Sequence, residues 1–266
     1  MPNRLIFLGT GGGRHVMLAQ VRKTGGIYVE LDGKKFVIDP GPGSLVNARR
    51  IKLNPENWNG LFLSHVHPDN SSDADVLLDG MKEPFIVAER HCVKPSRDFY
   101  PIVSKYHQEK ANVYAVKEGD RIKVNGFDVF VTKADHYDPT AGFVIKGSKT
   151  IGYAADGVYY KGQERQFSDC DVLILNVLVP TKMKTEPHKH MSVDEAIKMV
   201  KKAKNKPKLI VIQHFSFWML RADVYVQAKI IEKGTGIKTV AAEDFMEIDL
   251  DTLKIVKRKA QEQDWL

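Results

Sequence analysis

Four apolar runs in this chain end on a histidine or an aspartate: "GLFLSH" on His65, "FDVFVTKADH" on His136, "TIGYAAD" on Asp156 and "KLIVIQH" on His214. Short runs rich in Val, Ile, Leu and Phe read as β-strands. Rigid strands that each deliver a polar, chemistry-bearing side chain at one end call for a fold in which those ends converge on a cleft.

The remaining patterns fill in such a fold. "RLIFLG" reads as a first strand, followed by the glycine-rich "GTGGGR", and "GGIYVELDGKKFVIDPG" as two strands turned at Asp32-Gly33. "DADVLLDGM" reads as a helix, "PFIVAE" as a strand, and "KPSRDFYPIVSKYHQEKA" has helical character after its proline. A β-rich middle follows, with a turn at Asn125-Gly126. "DVLILNV" is a buried strand, "SVDEAIKMVKKA" a helix with Ser192 as N-cap and Glu195 completing a capping box. "ADVYVQAKIIEK" is a last helix before the strands "FMEIDL" and "LKIVKR". No repeat, low-complexity segment or Pro/Gly/Ser-rich linker divides the chain, so residues 1–266 read as one domain of two sheets with helices outside, in the α/β class.

A hydrophobic content of 43% in 266 residues supplies a packed core. No apolar run reaches the ~18 residues that cross a bilayer and no opening stretch has the form of a signal peptide, so the expectation is a cytoplasmic protein with no membrane partner. Cys92 and Cys170 are too few for a disulfide framework and lack metal-site spacing; they read as buried free thiols. Any metal must then be held by histidines and carboxylates. The net charge of +7 hints at an anionic partner, but the lysines are spread along the chain, and the densest basic run, "KMVKKAKNKPK", reads as the solvated face of a helix.

The stretch "LFLSHVHPDNSSD" carries the sharpest signal. In extended backbone His65 and His67 point the same way, so both imidazoles reach one ion at the ~2.0–2.1 Å of a Zn–N bond, and Asp69 adds an oxygen. With nine histidines, chance gives about 0.02 such H-x-H-x-D arrangements in a chain of this length, so the motif is specific. Gly9, Gly11, Gly12 and Gly13 suit a phosphate cradle, but a loop after a first strand is glycine-rich for turn geometry alone, and that reading is preferred. His15, His91 and His107 have no motif around them.

"SHVHPD", "DHYDPTAGFVI", "GYAADG", "HKHMSVDEA" and "IQHFS" stand in the order and contexts of the metallo-β-lactamase superfamily, and the sequence most resembles its ribonuclease Z and phosphodiesterase branch. The resemblance runs from "IFLGTGGG" and "VIDPGPG" to the final strands. It implies an αββα sandwich of two mixed β-sheets flanked by helices. It makes His65, His67 and His136 ligands of a first metal, Asp69 and His214 ligands of a second, and Asp156 a bridge between them. It also implies that His190 protonates the leaving group; His188 has no firm counterpart. Asn70 stands where the family commonly has a histidine ligand. An amide oxygen is a weak ligand for zinc, so the second site is expected to be weaker, emptier or completed by His188 or His190.

The implied activity is hydrolysis of a phosphodiester or other anionic ester by a metal-activated water, with Asp69 orienting that water and one or two divalent ions per chain, zinc first and manganese or iron as alternatives. The expected partner is a small anionic substrate. Ribonuclease Z enzymes carry a long tRNA-binding arm between the positions of His136 and Asp156, where this sequence has 19 residues, so nucleic acid is not favoured. A nuclease, or a regulatory member that keeps the fold without turnover, are the alternatives.

Overall fold

The computed structural model describes residues 2–183 and 189–260. The chain divides into two compact units, one formed by Met1–Thr10, Ala19–Val116 and Glu243–Leu266, the other by Gly11–Leu18 and Lys117–Ala242.

In chain order the strands are β1 (Arg4–Phe7), β2 (Ile27–Leu31), β3 (Lys34–Ile38), β4 (Gly60–Leu63), β5 (Phe85–Glu89) and β6 (Asn112–Val116). These are followed by β7 (Arg121–Val124), β8 (Phe127–Lys133), β9 (Ala141–Lys146), β10 (Thr150–Tyr153) and β11 (Val172–Val179). The last are β12 (Met191–Ser192), β13 (Leu209–Gln213), β14 (Thr239–Ala241), β15 (Met246–Asp249) and β16 (Ile255–Lys257). The helices are α1 (Gly13–Ala19), α2 (Ser44–Arg50), α3 (Pro68–Ser71), α4 (Ala74–Gly80), α5 (Lys105–Glu109), α6 (Val193–Lys202), α7 (Phe217–Arg221) and α8 (Val224–Thr235).

The first unit holds an eight-stranded mixed sheet in the order β16-β15-β1-β2-β3-β4-β5-β6, antiparallel from β16 to β3 and parallel from β3 to β6. Its β2–β3 turn puts Asp32 and Gly33 both at positive φ, the type I′ geometry that Asp-Gly favours. Phe36, Phe62 and Phe85, on three adjacent strands, stack in tilted and edge contacts with centroids 5.2–6.1 Å apart. A second apolar group gathers Tyr28, Trp58, Leu61, Leu77 and Ile86.

The second unit holds a mixed sheet in the order β14-β13-β11-β10-β9-β8-β7, parallel from β14 to β10 and antiparallel from there to β7. Its strand β11 is buried along all eight residues, as a parallel strand covered on both faces must be. The apolar faces of α6 and α8 supply Val193, Ala196, Met199, Ala228 and Ile231 to that unit's core. The capping box of Ser192 and Glu195 starts α6 as its sequence predicts.

One helix differs from expectation. Residues after Pro95 do not form a helix until Lys105, because Pro101 has no N–H to give and Ile102 and Val103 instead donate to the carbonyl of Cys92. The helix begins where the Ser104 side chain accepts from the His107 N–H. Patterning also leaves out α1, α2, α3, α7, β12 and β14, whose short runs lack a clear period. Among the described residues no helix is long and apolar enough to cross a membrane.

Candidate metal centre

In the first unit β3 and β4 run parallel as neighbours, so the residues that follow them emerge side by side at one edge. Asp39 follows β3, and Ser64 and His65 follow β4. The Asp39 carboxylate accepts from the Ser64 N–H at 2.7 Å and from its hydroxyl at 2.5 Å, and Ser64 Oγ lies 2.8 Å from His65 Nδ1. The hydroxyl has one proton and gives it to Asp39, so it receives the imidazole proton. His65 is thereby held as the Nδ1–H tautomer, with Nε2 as its lone-pair nitrogen. A carboxylate oriented behind an imidazole in this way is the arrangement that fixes metal-ligating histidines.

His67, the N-cap of α3, sets its ring 4.6 Å from that of His65. Asp69 and Asn70 are buried in α3 at 6% and 2% exposure. Gly25 and Gly41 lie directly behind them. A Cβ on Gly41 would stand 2.0 Å from the Asp69 carbonyl oxygen, so this loop requires a residue without a side chain there. The Nδ2 atom of Asn70 is buried and has no hydrogen-bond partner among the described residues.

In the second unit β8, β10, β11 and β13 all run in one direction, which brings the residues after β8, β10 and β13 to a single edge. These are His136, Asp156 and His214. Asp156 is 1% exposed, and its Oδ2 lies 3.2 Å from His214 Nε2 and 3.9 Å from His190 Nδ1. The His136 ring sits 4.9 Å from that of His190, and its Nδ1 donates to the Lys189 carbonyl at 2.8 Å, which leaves Nε2 as the lone-pair nitrogen. Lys189 is itself tied to Asp135, the neighbour of His136, at 2.5 Å.

A chain of buried amides holds the carboxylate. Gln213 at the end of β13 donates to Asn176 on β11 at 2.6 Å, and Asn176 donates to Asp156 Oδ1 at 2.7 Å. Gly12 packs against the His214 ring and donates its N–H to Phe215 O at 3.1 Å. The glycine-rich loop thus serves close approach to an imidazole, in keeping with the structural reading of its glycines. The backbones of Asp39, Ala155 and His214 all adopt left-handed φ, between 48° and 63°.

Every sequence-predicted site residue except His188 falls within the described structure; His188 lies outside the described residues. The second unit gathers His136, His190 and His214 around Asp156, and the first pairs His65 with His67 beside Asp69 and Asn70. Sequence reasoning missed Asp39, Ser64, Asn176, Gln213 and the contact of Gly12. A signal was present for the two amides, since Asn176 and Gln213 are the polar residues in the otherwise apolar strands "VLILNVLV" and "LIVIQ". His91 pairs with Glu89 and His107 with Asp75, away from these groups, as expected of histidines without a motif.

The beta-lactamase superfamily domain matches residues 34–215. An uncharacterised protein of Methanocaldococcus jannaschii is 29% identical over 94% of this chain and 96% of its own length. Ribonuclease Z of Methanosarcina mazei is 26% identical over 53% of this chain and 48% of its own. Among solved structures, the metallo-β-lactamase fold protein YhfI from Bacillus subtilis superposes with a TM-score of 0.75 at 18% identity, over 93% of this chain and 99% of that one. Its likeness extends to the two mixed sheets and their flanking helices. With its domain matched from β3 to the residue after His214, and with histidines and aspartates at the strand ends between them, the chain belongs to the metallo-β-lactamase superfamily.

Proposed function

We propose that the protein is a metal-dependent hydrolase of phosphodiesters, or of closely related anionic esters, in small molecules. The observation that carries this reading is the pair of hydrogen-bonded histidines, His65 behind Ser64 and Asp39 and His136 behind the Lys189 carbonyl, each held in the tautomer a metal ligand needs. Superfamily membership and the likeness to a ribonuclease Z support hydrolysis at phosphorus.

His65, His67, His136 and Asp156 would hold a first divalent ion, and Asp69 and His214 with Asp156 a second; zinc suits the imidazole-rich first set. When bound, such an ion supplies a water pKa near ~7 and charge stabilisation for the phosphoryl oxygens. Asp69 orients the attacking water through its carboxylate. Asn176 fixes the Asp156 carboxylate by donating to Oδ1. His190, with Nδ1 toward Asp156 and a side chain 22% exposed, hands a proton from Nε2 to the leaving oxygen.

The test is metal analysis of protein purified without chelator, together with turnover of bis-p-nitrophenyl phosphate with added Zn²⁺ or Mn²⁺. Bound metal and metal-dependent release of nitrophenol are expected. Protein that binds no metal and turns over no ester would overturn the reading and favour a non-catalytic role. A nuclease reading is favoured by the ribonuclease Z relatives. Against it, the segment between His136 and Asp156 is only the β9–β10 hairpin, and the matches span about half of those relatives. Cleavage of an oligoribonucleotide faster than of the nitrophenyl ester would reverse that order.

A further inference from the structure

Beside His190 the second unit carries a cavity of about 540 Å³, well within the size that holds small organic ligands. Its wall combines two kinds of group. Arg14 and Arg221 supply guanidinium charge, and among the described residues no carboxylate lines the cavity. Trp218 and Tyr137 supply large aromatic faces that remain 43% and 61% exposed. The floor is apolar, from Val16, Leu178 and Val179.

The wall is built as one piece with the candidate ligands. Trp218 and Arg221 lie three residues apart on α7, hence on one face of it, and that helix starts directly after His214 and Phe215. Ser216 caps it by accepting from the Met219 N–H, and donates its own hydroxyl to Leu178 O at 2.5 Å, which ties the helix to the end of β11. Arg14 follows Gly12, whose N–H is bound to Phe215. Tyr137 is the neighbour of His136, its ring 6.4 Å from His190. Guanidinium charge and aromatic faces are therefore carried on backbone that is tied to the candidate ligands, next to the histidine proposed to hand on the proton.

We infer that this cavity is a recognition pocket for an organic phosphate that carries a flat aromatic ring, with nucleotides as the fitting chemical class: the ring stacks on Trp218 and Tyr137 while Arg14 and Arg221 pair with the phosphate charge. The inference rests on the reading of the adjoining cluster as a phosphoesterase site, and it specifies what part of the substrate lies beyond the scissile bond. Arginine gives the planar, two-pronged donor geometry that phosphate oxygens take, and an exposed tryptophan gives a stacking surface for any nucleobase.

The experiment compares binding of adenosine 5′-monophosphate and ribose 5-phosphate to the full chain as purified, by calorimetry and tryptophan fluorescence. The nucleotide should bind at least about tenfold more tightly, the scale that base stacking on an aromatic side chain supplies. Trp218→Ala should remove that preference, whereas Arg221→Ala and Arg14→Ala should weaken both probes and leave their ratio intact. These side chains are exposed, so the variants should keep the native circular dichroism spectrum. Equal affinity of the native protein for the two probes, or a preference that survives Trp218→Ala, would overturn the inference. His65→Ala separates it from the functional reading, because that variant should lose ester turnover and keep the nucleotide preference. Turnover of bis-p-nitrophenyl phosphate without any preference would sink the pocket alone, and preference without turnover in native protein would sink the hydrolase alone.

Discussion

A Cβ on Gly12 would stand 2.2 Å from Cδ2 of the His214 ring. Real carbon atoms do not approach so closely, so Gly12→Ala must displace either the glycine loop or the imidazole. Overpacking of this kind costs about 1–3 kcal/mol. Denaturant unfolding should show that loss, and metal content per chain should fall because His214 is moved off Asp156. A variant with native stability and native metal content would mean that the loop shifts without involving the histidine.

Ser64→Ala removes the hydroxyl between His65 and Asp39. It leaves the His65 Nδ1–H without its acceptor and releases the ring to rotate or change tautomer. Loss of such an orienting partner lowers metal affinity about 10–100-fold. Competition with a chromogenic chelator should read that change, and the same titration on Asp39→Asn should give a smaller effect in the same direction. Affinity unchanged in both would show that packing alone fixes the ring.

Asn70→His should raise zinc occupancy toward two ions per chain, because an imidazole binds zinc better than an amide does. The native side chain is 2% exposed and its Nδ2 has no partner among the described residues, so the substitution removes an orphaned donor as well as adding a ligand. The measurement is metal stoichiometry after dialysis against buffered zinc. If native protein already retains two zinc ions under those conditions, Asn70 does not weaken the second site.

The pair Asp171–Lys208, at 2.7 Å, links stability to pH. Burial pushes the Asp171 carboxyl up, but the Lys208 ammonium and the Thr150 N–H outweigh it and hold the group below the usual aspartate value. A carboxyl lowered by folding stabilises the native state above its unfolded pKa, and that contribution fades as pH falls through the folded value. Asp171→Asn should therefore lower Tm at pH 7 and narrow its gap to the native protein between about pH 5 and pH 3. A Tm difference independent of pH over that range would assign the loss to the hydrogen bonds instead.

The histidines and the acid at the strand ends were legible as a set: one polar residue closing an apolar run is ordinary, but several of them stand in the order of one family. Strand β13 shows both sides of this: its His214 was evident from "KLIVIQH", while Gln213 passed as the last residue of the strand. The support behind the donors was harder to read, since Asp39 and Ser64 are 25 residues apart in sequence and meet only because β3 and β4 are parallel neighbours. No local pattern encodes that pairing. The delayed start of α5 had a readable cause in Pro101, whereas Gly12 gave no sign in sequence that its missing side chain makes room for an imidazole.

The left-handed backbones at Asp39, Ala155 and His214 set unequal terms for adaptation to heat. Aspartate and histidine tolerate that conformation better than most residues, and under the proposed function their side chains serve the metal site, so neither position has room to improve. Alanine has no such tolerance and no chemistry of its own; it is there to aim the residue that follows. On that reading a lineage moving to higher temperature gains by glycine at 155 and would forfeit function by glycine at 39 or 214, so the three positions should diverge in what selection permits, although their geometry is the same.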